Sequence, residues 1–356
     1  MNINLIGHLE SKQKKGMNIK TLVIAGLLGS ILLLTGCGGG GGSNVQSTVI
    51  DGFDMTQGTA DTKLGATYVQ EFLTANNAQS TTVSDIYSRL NVSGVEQAHL
   101  DGWTGKGKAI TVLDGTFNAG DHGRYVSDIA HNVAPGATRN EYNVGALTNS
   151  SKNLITMASD VVTSSVGFSP SALLSDPSLA SYMSDLTRDL EASNALVTIA
   201  AQHTNWTGIK DGVAGNGGFT ACPNNATMTV SNCNSWAVGG LDSSNVIYVG
   251  EIDSSNNIPS WSNQAGDTYK NQFIVTSSDY ITTASDGEPD GNSLAAPRVA
   301  GAGALVRQKF PNLSGSQAAT TILHTADDLG AVGIDSIYGH GKLNVGKALS
   351  PVGNLH

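Results

Sequence analysis

Charge is scarce in this chain. Asp, Glu, Lys and Arg together make up 13% of the 356 residues, too few for a coiled coil or a charged disordered tail. With Gly, Ser, Asn and Ala abundant, the composition suits a compact, loop-rich globule. Positive charge is scarcer still, with 19 basic residues against 29 acidic. An acidic surface repels nucleic acid and anionic lipid, and no basic patch with interleaved aromatics offsets it, so nucleic acid is excluded as a partner. Cysteine is limited to three residues. With no second Cys pair and no neighbouring His pair, no metal site is read. Long apolar runs are missing too: the stretch from Leu22 to Leu33 is too short for a comfortable membrane span.

What the chain does have is concentrated in Gly291-Asn292-Ser293-Leu294-Ala295-Ala296-Pro297-Arg298-Val299-Ala300-Gly301. One serine stands among small residues, ahead of a helix built almost wholly from Ala, Gly and Val. Free backbone N–H groups at a helix start favour a developing negative charge. A nucleophilic serine needs a base, and the base needs an orienting group. Val112-Leu113-Asp114-Gly115 and Asp121-His122-Gly123 supply candidates for both. Asp121 adjoins His122, but a chain neighbour rarely points its carboxylate at the adjacent ring, so Asp114 is the better candidate.

Short apolar runs at 109–113, 196–200, 246–249 and 273–276 alternate with helix-length segments at 125–131 and 177–193. In the second of these, Leu179, Tyr182, Met183, Leu186 and Leu190 recur at helical spacing. This pattern predicts an α/β fold with a mostly parallel sheet covered on both faces. Reactive groups in such sheets collect at the C-terminal strand ends and at the helix starts that follow. Asp114 ends a strand, and His122 and Ser293 precede helical runs. Residues 44–95 are polar and weakly patterned, with a helical reading around 66–73.

The N-terminus is read as a targeting segment. Lys20, the apolar run and Leu34-Thr35-Gly36-Cys37 resemble a bacterial lipoprotein signal. The resemblance implies cleavage after residue 36 and a lipid on Cys37, with Met17 an alternative start to Met1. Asp is absent at position 38, which favours the outer membrane or cell surface. Residues 38–43 are a Gly-rich tether, and residues beyond position 36 carry 15 basic and 28 acidic side chains, net −13. Cys222 and Cys233 remain as a pair, read in an exported chain as a disulfide closing a short loop.

The order Asp114, His122, Ser293 is that of subtilisin and contrasts with the α/β-hydrolases, where the serine comes first. Gly102-Trp103-Thr104-Gly105-Lys106-Gly107, His122-Gly123, Val133-Ala134-Pro135-Gly136-Ala137 and the Ser293 run resemble the subtilisin-like (S8) serine proteases. Thr325-Ala326-Asp327-Asp328-Leu329-Gly330 and Tyr338-Gly339-His340-Gly341 resemble the end of the domain in autotransporter-type subtilases. The resemblance covers about residues 95–350. It implies a three-layer subtilisin-like fold over 96–350, preceded by a signal peptide (1–36) and a tether with an N-terminal extension (37–95). It implies a catalytic Asp114, His122 and Ser293, a specificity pocket along Ser165, Val166 and Gly167, a polypeptide substrate such as another surface or secreted protein, and no cofactor. The oxyanion side chain is either Asn205 or His203, because the family's Ala-Ala-Gly-Asn is here Ala200-Ala201-Gln202-His203-Thr204-Asn205. That departure motivates the alternative of a weak or inactive surface binding module. Residues 286–291 offer carboxylates for a structural calcium near the serine but lack the ligand spacing of a calcium loop, so a calcium there is an open alternative without support. His131 and His340 read as structural. Trp206, Trp236 and Trp261 read as packing aromatics.

Overall fold

A computed structural model describes residues 49–50, 52–76, 82–146, 155, 158–165, 185–186, 188–201, 243–279, 281 and 291–352. The signal segment, Cys37, the tether, Val166, Gly167, His203, Asn205, Trp206, Cys222, Cys233, Trp236 and residues 286–290 lie outside the described residues, as does the first part of the 177–193 segment. The chain divides into two units after Asn44, and every described residue belongs to the second.

The centre of that unit is a six-stranded, all-parallel sheet. Its strands are β3 (Ala109–Asp114), β4 (Thr138–Asn143), β5 (Val161–Ser164), β6 (Leu196–Ala200), β7 (Val246–Ile252) and β8 (Phe273–Ser277). Their spatial order is β4-β3-β5-β6-β7-β8. Side chains alternate along each strand and sort into two cores. Ile110, Val112, Leu196, Ala200, Ile247, Val249 and Ile274 face one side. Leu113, Val197, Ile199, Val246, Tyr248, Phe273 and Val275 face the other, against Leu186, Leu190 and Tyr269. Helices therefore cover both faces, as the continuous apolar strands require.

On the first face lie α4 (His122–Val133) and α6 (Asn292–Lys309); α5 (Gly266–Tyr269), between β7 and β8 in sequence, sets its Tyr269 in the core of the other face. The helix α6 packs on β3, β5, β6, β7 and β8 and against α4. Its Ala and Gly residues make that approach possible: Gly301 lies so close to Val133 that a Cβ would sit 2.4 Å from the valine Cβ. Two later helices, α7 (Gly315–His324) and α8 (Val345–Ala348), complete the C-terminal end.

The weakly patterned stretch before residue 96 folds onto this same core. A two-stranded ladder of β1 (Val49–Ile50) and β2 (Phe53–Asp54) precedes α1 (Gly65–Ala75), α2 (Val83–Leu90) and α3 (Val95–Leu100). Phe53, Val69, Phe72, Leu73, Ile86, Leu90 and Val95 join the core that holds α4 and α6. Thr82 and Asp85 form a capping box at the start of α2, satisfying two first-turn donors. The edge strand β4 was not legible as a strand, because Thr-Arg-Asn-Glu-Tyr-Asn has no apolar alternation and none of its side chains is fully buried.

Candidate active site

The carboxylate of Asp114 ends β3 and is 2% exposed. It accepts from the backbone N–H of Gly115 at 2.7 Å. The Nδ1–H of His122, the first residue of α4, lies 2.9 Å from Oδ1 and 3.0 Å from Oδ2. A carboxylate only accepts, so Nδ1 carries the hydrogen and Nε2 is left to act as a base. The His122 side chain is 46% exposed while that of Asp114 is 3% exposed, an open imidazole held by a buried anion. Gly123 makes the contact sterically feasible: a Cβ there would lie 2.8 Å from the Asp114 Cβ and 2.7 Å from the Thr116 carbonyl. Asp121 points elsewhere. Its Oδ2 accepts from Asn118 N and Nδ2 at 2.7 and 2.8 Å, bracing the short connection between strand and helix. The hydrogen bond from Thr116, then those from Asn118, hold its carboxyl below the usual range.

Ser293 is the second residue of α6, and Gly291 precedes the helix at φ 119°, a conformation that excludes most side chains. Ser293 makes no capping bond. Its Oγ donates to the Ser165 carbonyl at 3.3 Å, and Ser165 Oγ donates to the Ser293 carbonyl at 2.7 Å. Pro297 explains the second bond. A proline four residues on has no N–H to give the Ser293 carbonyl, and the Ser165 hydroxyl takes it instead. Ser165 follows Ser164, whose neighbour in β3 is Leu113, so this tie meets the sheet level with Asp114. Gly301 touches Val133. Ser293 lies about 12 Å back along α6 from that contact and His122 about 16 Å back along α4, so both helix starts return to the same sheet edge.

Asn292 is fully buried, and its Oδ1 accepts from Glu251 N at 2.9 Å and Ser262 Oγ at 2.8 Å. Sequence reasoning missed Arg298. It is fully buried inside the Ala-rich helix and donates to the carbonyls of Leu90, Leu294, Arg89 and Asp279. Burial draws its pKa down to about 9, against the raising influence of Asp279. The charge in the middle of an apolar run was the available signal. His131 sits in the last turn of α4, and His340 Nε2 donates to the Asn271 carbonyl at 3.1 Å. Trp261 is 41% exposed. Among the described residues no group of three or more His, Cys, Asp or Glu is arranged to hold a metal ion.

An Asp–His pair and a helix-borne serine on one edge of an all-parallel sheet, in this chain order, agree with the sequence comparison. Residues 115–341 match the subtilase family. The chain belongs to the subtilase family. The matched span starts directly after Asp114 and includes His122 and Ser293. The autotransporter lipoprotein NalP of Neisseria meningitidis is 50% identical over 60 residues, 17% of this chain and 6% of that protein. An extracellular serine protease of Serratia marcescens is 42% identical over 64 residues, 18% of this chain and 6% of that one. Subtilisin DY of Bacillus licheniformis is 37% identical over 101 residues, 28% of this chain and 35% of that one. The matches thus span a small part of these relatives. The crystal structure of a lanthipeptide protease superposes with a TM-score of 0.51 at 18% identity, covering 74% of this chain and 92% of that one, which shows the shared subtilase fold.

Proposed function

We propose that this subtilase is a serine endopeptidase, exported and held at a bacterial membrane by a lipid on Cys37. The pairing of His122 with the buried Asp114, on the sheet edge where Ser293 opens α6, carries the reading. Ser293 Oγ turns from the Ser165 carbonyl and attacks the peptide carbonyl while His122 Nε2 takes its proton. Asp114 keeps the imidazole in the Nδ1–H tautomer and stabilises its cation. His122 then returns the proton to the leaving amine, and water repeats the cycle on the acyl-enzyme. The N–H of Ser293, in the first helical turn and without a helical acceptor, faces the oxyanion, with Asn205 or His203 as the second donor.

The relatives support the extracellular part of this reading, since one is named an autotransporter lipoprotein and another an extracellular protease. The substrate is a polypeptide, and a surface or secreted protein is the accessible kind. A fluorophosphonate probe tests the chemistry. Labelling of the wild type that vanishes in Ser293→Ala supports a serine hydrolase. No labelling of the folded wild type sinks the enzyme reading and leaves a binding module on a subtilase fold. Cleavage of a peptide library separates peptidase from esterase.

A further inference from the structure

The parallel ladder between β6 and β7 stops one rung early, and two asparagine side chains take up the two groups this leaves. Val197 N donates to Asn245 O, and Ala201 N donates to Val249 O. In a parallel ladder a residue that donates to position j−1 accepts from position j+1, so the next rung would run from Glu251 N to the Ala201 carbonyl. It is not made. Glu251 N donates instead to Asn292 Oδ1 at 2.9 Å, and the Ala201 carbonyl accepts from Asn263 Nδ2 at 2.7 Å. Asn263 is 1% exposed and Asn292 fully buried, so both amides act in a dry setting where an unmade bond is costly. Ser262 Oγ joins them, donating to Asn292 Oδ1 at 2.8 Å.

We infer that Asn263 is a positioning residue of the peptidase site, acting as a wedge that takes the place of the next rung at Ala201 and ties the end of β6 to the start of the nucleophile helix. The inference rests on the proposed peptidase reading. The chain through Asn263, Ser262 and Asn292 ends on the residue preceding Ser293. Its other end holds the last described residue before Gln202-His203-Thr204-Asn205, where the sequence puts the oxyanion side chain. Without the wedge the Ala201 carbonyl loses its donor while Glu251 N stays with Asn292 Oδ1, so the end of β6 loosens. Asn supplies both halves of the device: one amide gives its N–H to a carbonyl, the other gives its oxygen to an N–H.

Asn263→Asp keeps the shape and, with its carboxyl ionised in assays at alkaline pH, removes the donor. It is expected to lower kcat on a peptide substrate by on the order of 10–100-fold, less than the loss of an oxyanion donor itself, with KM little changed. Affinity for a peptidyl boronate, which mimics the tetrahedral state, falls in the same proportion. Ser262→Ala, which removes the hydroxyl's bonds to Asn292 Oδ1 and to the Asn263 carbonyl but leaves the Asn263 amide in place, gives a smaller fall and serves if Asn263→Asp does not fold. Amide exchange across residues 196–205 in the whole chain is expected to quicken in Asn263→Asp, and this readout needs no activity. Unchanged exchange overturns the inference even in a protein that labels normally. A folded wild type that neither cleaves nor labels, yet shows the quickened exchange in the variant, overturns the peptidase reading and leaves the wedge standing. Equal losses in KM and in boronate affinity with kcat intact also overturn the positioning role.

Discussion

Arg298 Nε donates to the Leu90 carbonyl at 2.8 Å across 208 positions of sequence. The donor lies in α6, and the acceptor is the last residue of α2, where helix carbonyls lack partners of their own. The same guanidinium also holds the Arg89, Asp279 and Leu294 carbonyls. Arg298→Met keeps much of the volume and leaves these acceptors buried without their donor. It is expected to cost about 3 kcal/mol or more, read as a fall in the urea midpoint. Arg298→Lys recovers only part of it, because an ammonium cannot span acceptors laid out for a planar fork. Equal stability of Arg298→Met and wild type would remove the guanidinium from the account.

Asp114→Asn is expected to leave the fold intact and lower kcat by about 10⁴, because an amide can donate to Nδ1 and so favours the tautomer whose Nε2 is occupied. Steady-state hydrolysis beside a circular dichroism melt checks both halves. A drop of less than tenfold would mean that His122 is oriented by something else.

Acid should loosen the protein through its buried histidines. Burial pushes the pKa of His99 down to about 4, against the raising influence of the Val133 carbonyl. Its Nε2 donates to that carbonyl at 2.8 Å, and Nδ1 accepts from the Tyr87 hydroxyl at 2.8 Å. Burial first, with other groups contributing, also holds His131 and His340 at about 4. A depressed base binds its proton more readily when unfolded. The stability is therefore complete above the ordinary value of 6.5 and drains away as pH falls toward about 4. Each group contributes about 1.4 kcal/mol per pH unit within that window. His99→Gln removes one of these protons, so its urea midpoint should fall less than that of wild type between pH 7 and pH 5. Parallel falls would show that His99 takes no part.

Residues 52–100 are expected to be retained in the active protein. Gly58 N donates to the Lys309 carbonyl at 2.7 Å, and Gln308 Nε2 donates to the Thr59 and Gly102 carbonyls at 3.2 Å. The Asp61 side chain is fully buried. Burial raises its pKa, but the hydrogen bonds from Lys106, Lys63, Tyr68 and Thr104 outweigh that and hold it at about 2. A chain begun at Val92 should lose its cooperative melt, whereas one begun at Val49 should keep it. Mass spectrometry of the fluorophosphonate-labelled protein should find its N-terminus before residue 52. A labelled species beginning after residue 95 would show the segment to be dispensable.

The parts legible in the sequence were those written in local pattern. Runs of β-branched and apolar residues marked β3, β6, β7 and β8, and the small residues after Ser293 marked a helix able to lie flat on a sheet. The Asp114–His122 contact was legible as chain order alone, since its geometry depends on Gly123 having no Cβ. What escaped was set by partners distant in sequence. The polar β4 becomes a strand by pairing along its whole length with β3. The extension is held by carbonyls and side chains from residues 102–106 and 308–309. Thr82 and Asp85 were a readable helix start in that stretch, while Asn263 carries no local mark and takes its meaning only from a rung missing elsewhere.

Five strands underlie α6, and the last of them, β8, ends only at Ser277. A ribosome therefore delivers Asp114 and His122 long before Ser293. Until the final third of the polypeptide arrives, the growing chain holds an imidazole with nothing to activate. On the proposed reading, proteolytic power then appears only when the sheet is whole, and an unfinished molecule has no means of digesting its own loose segments.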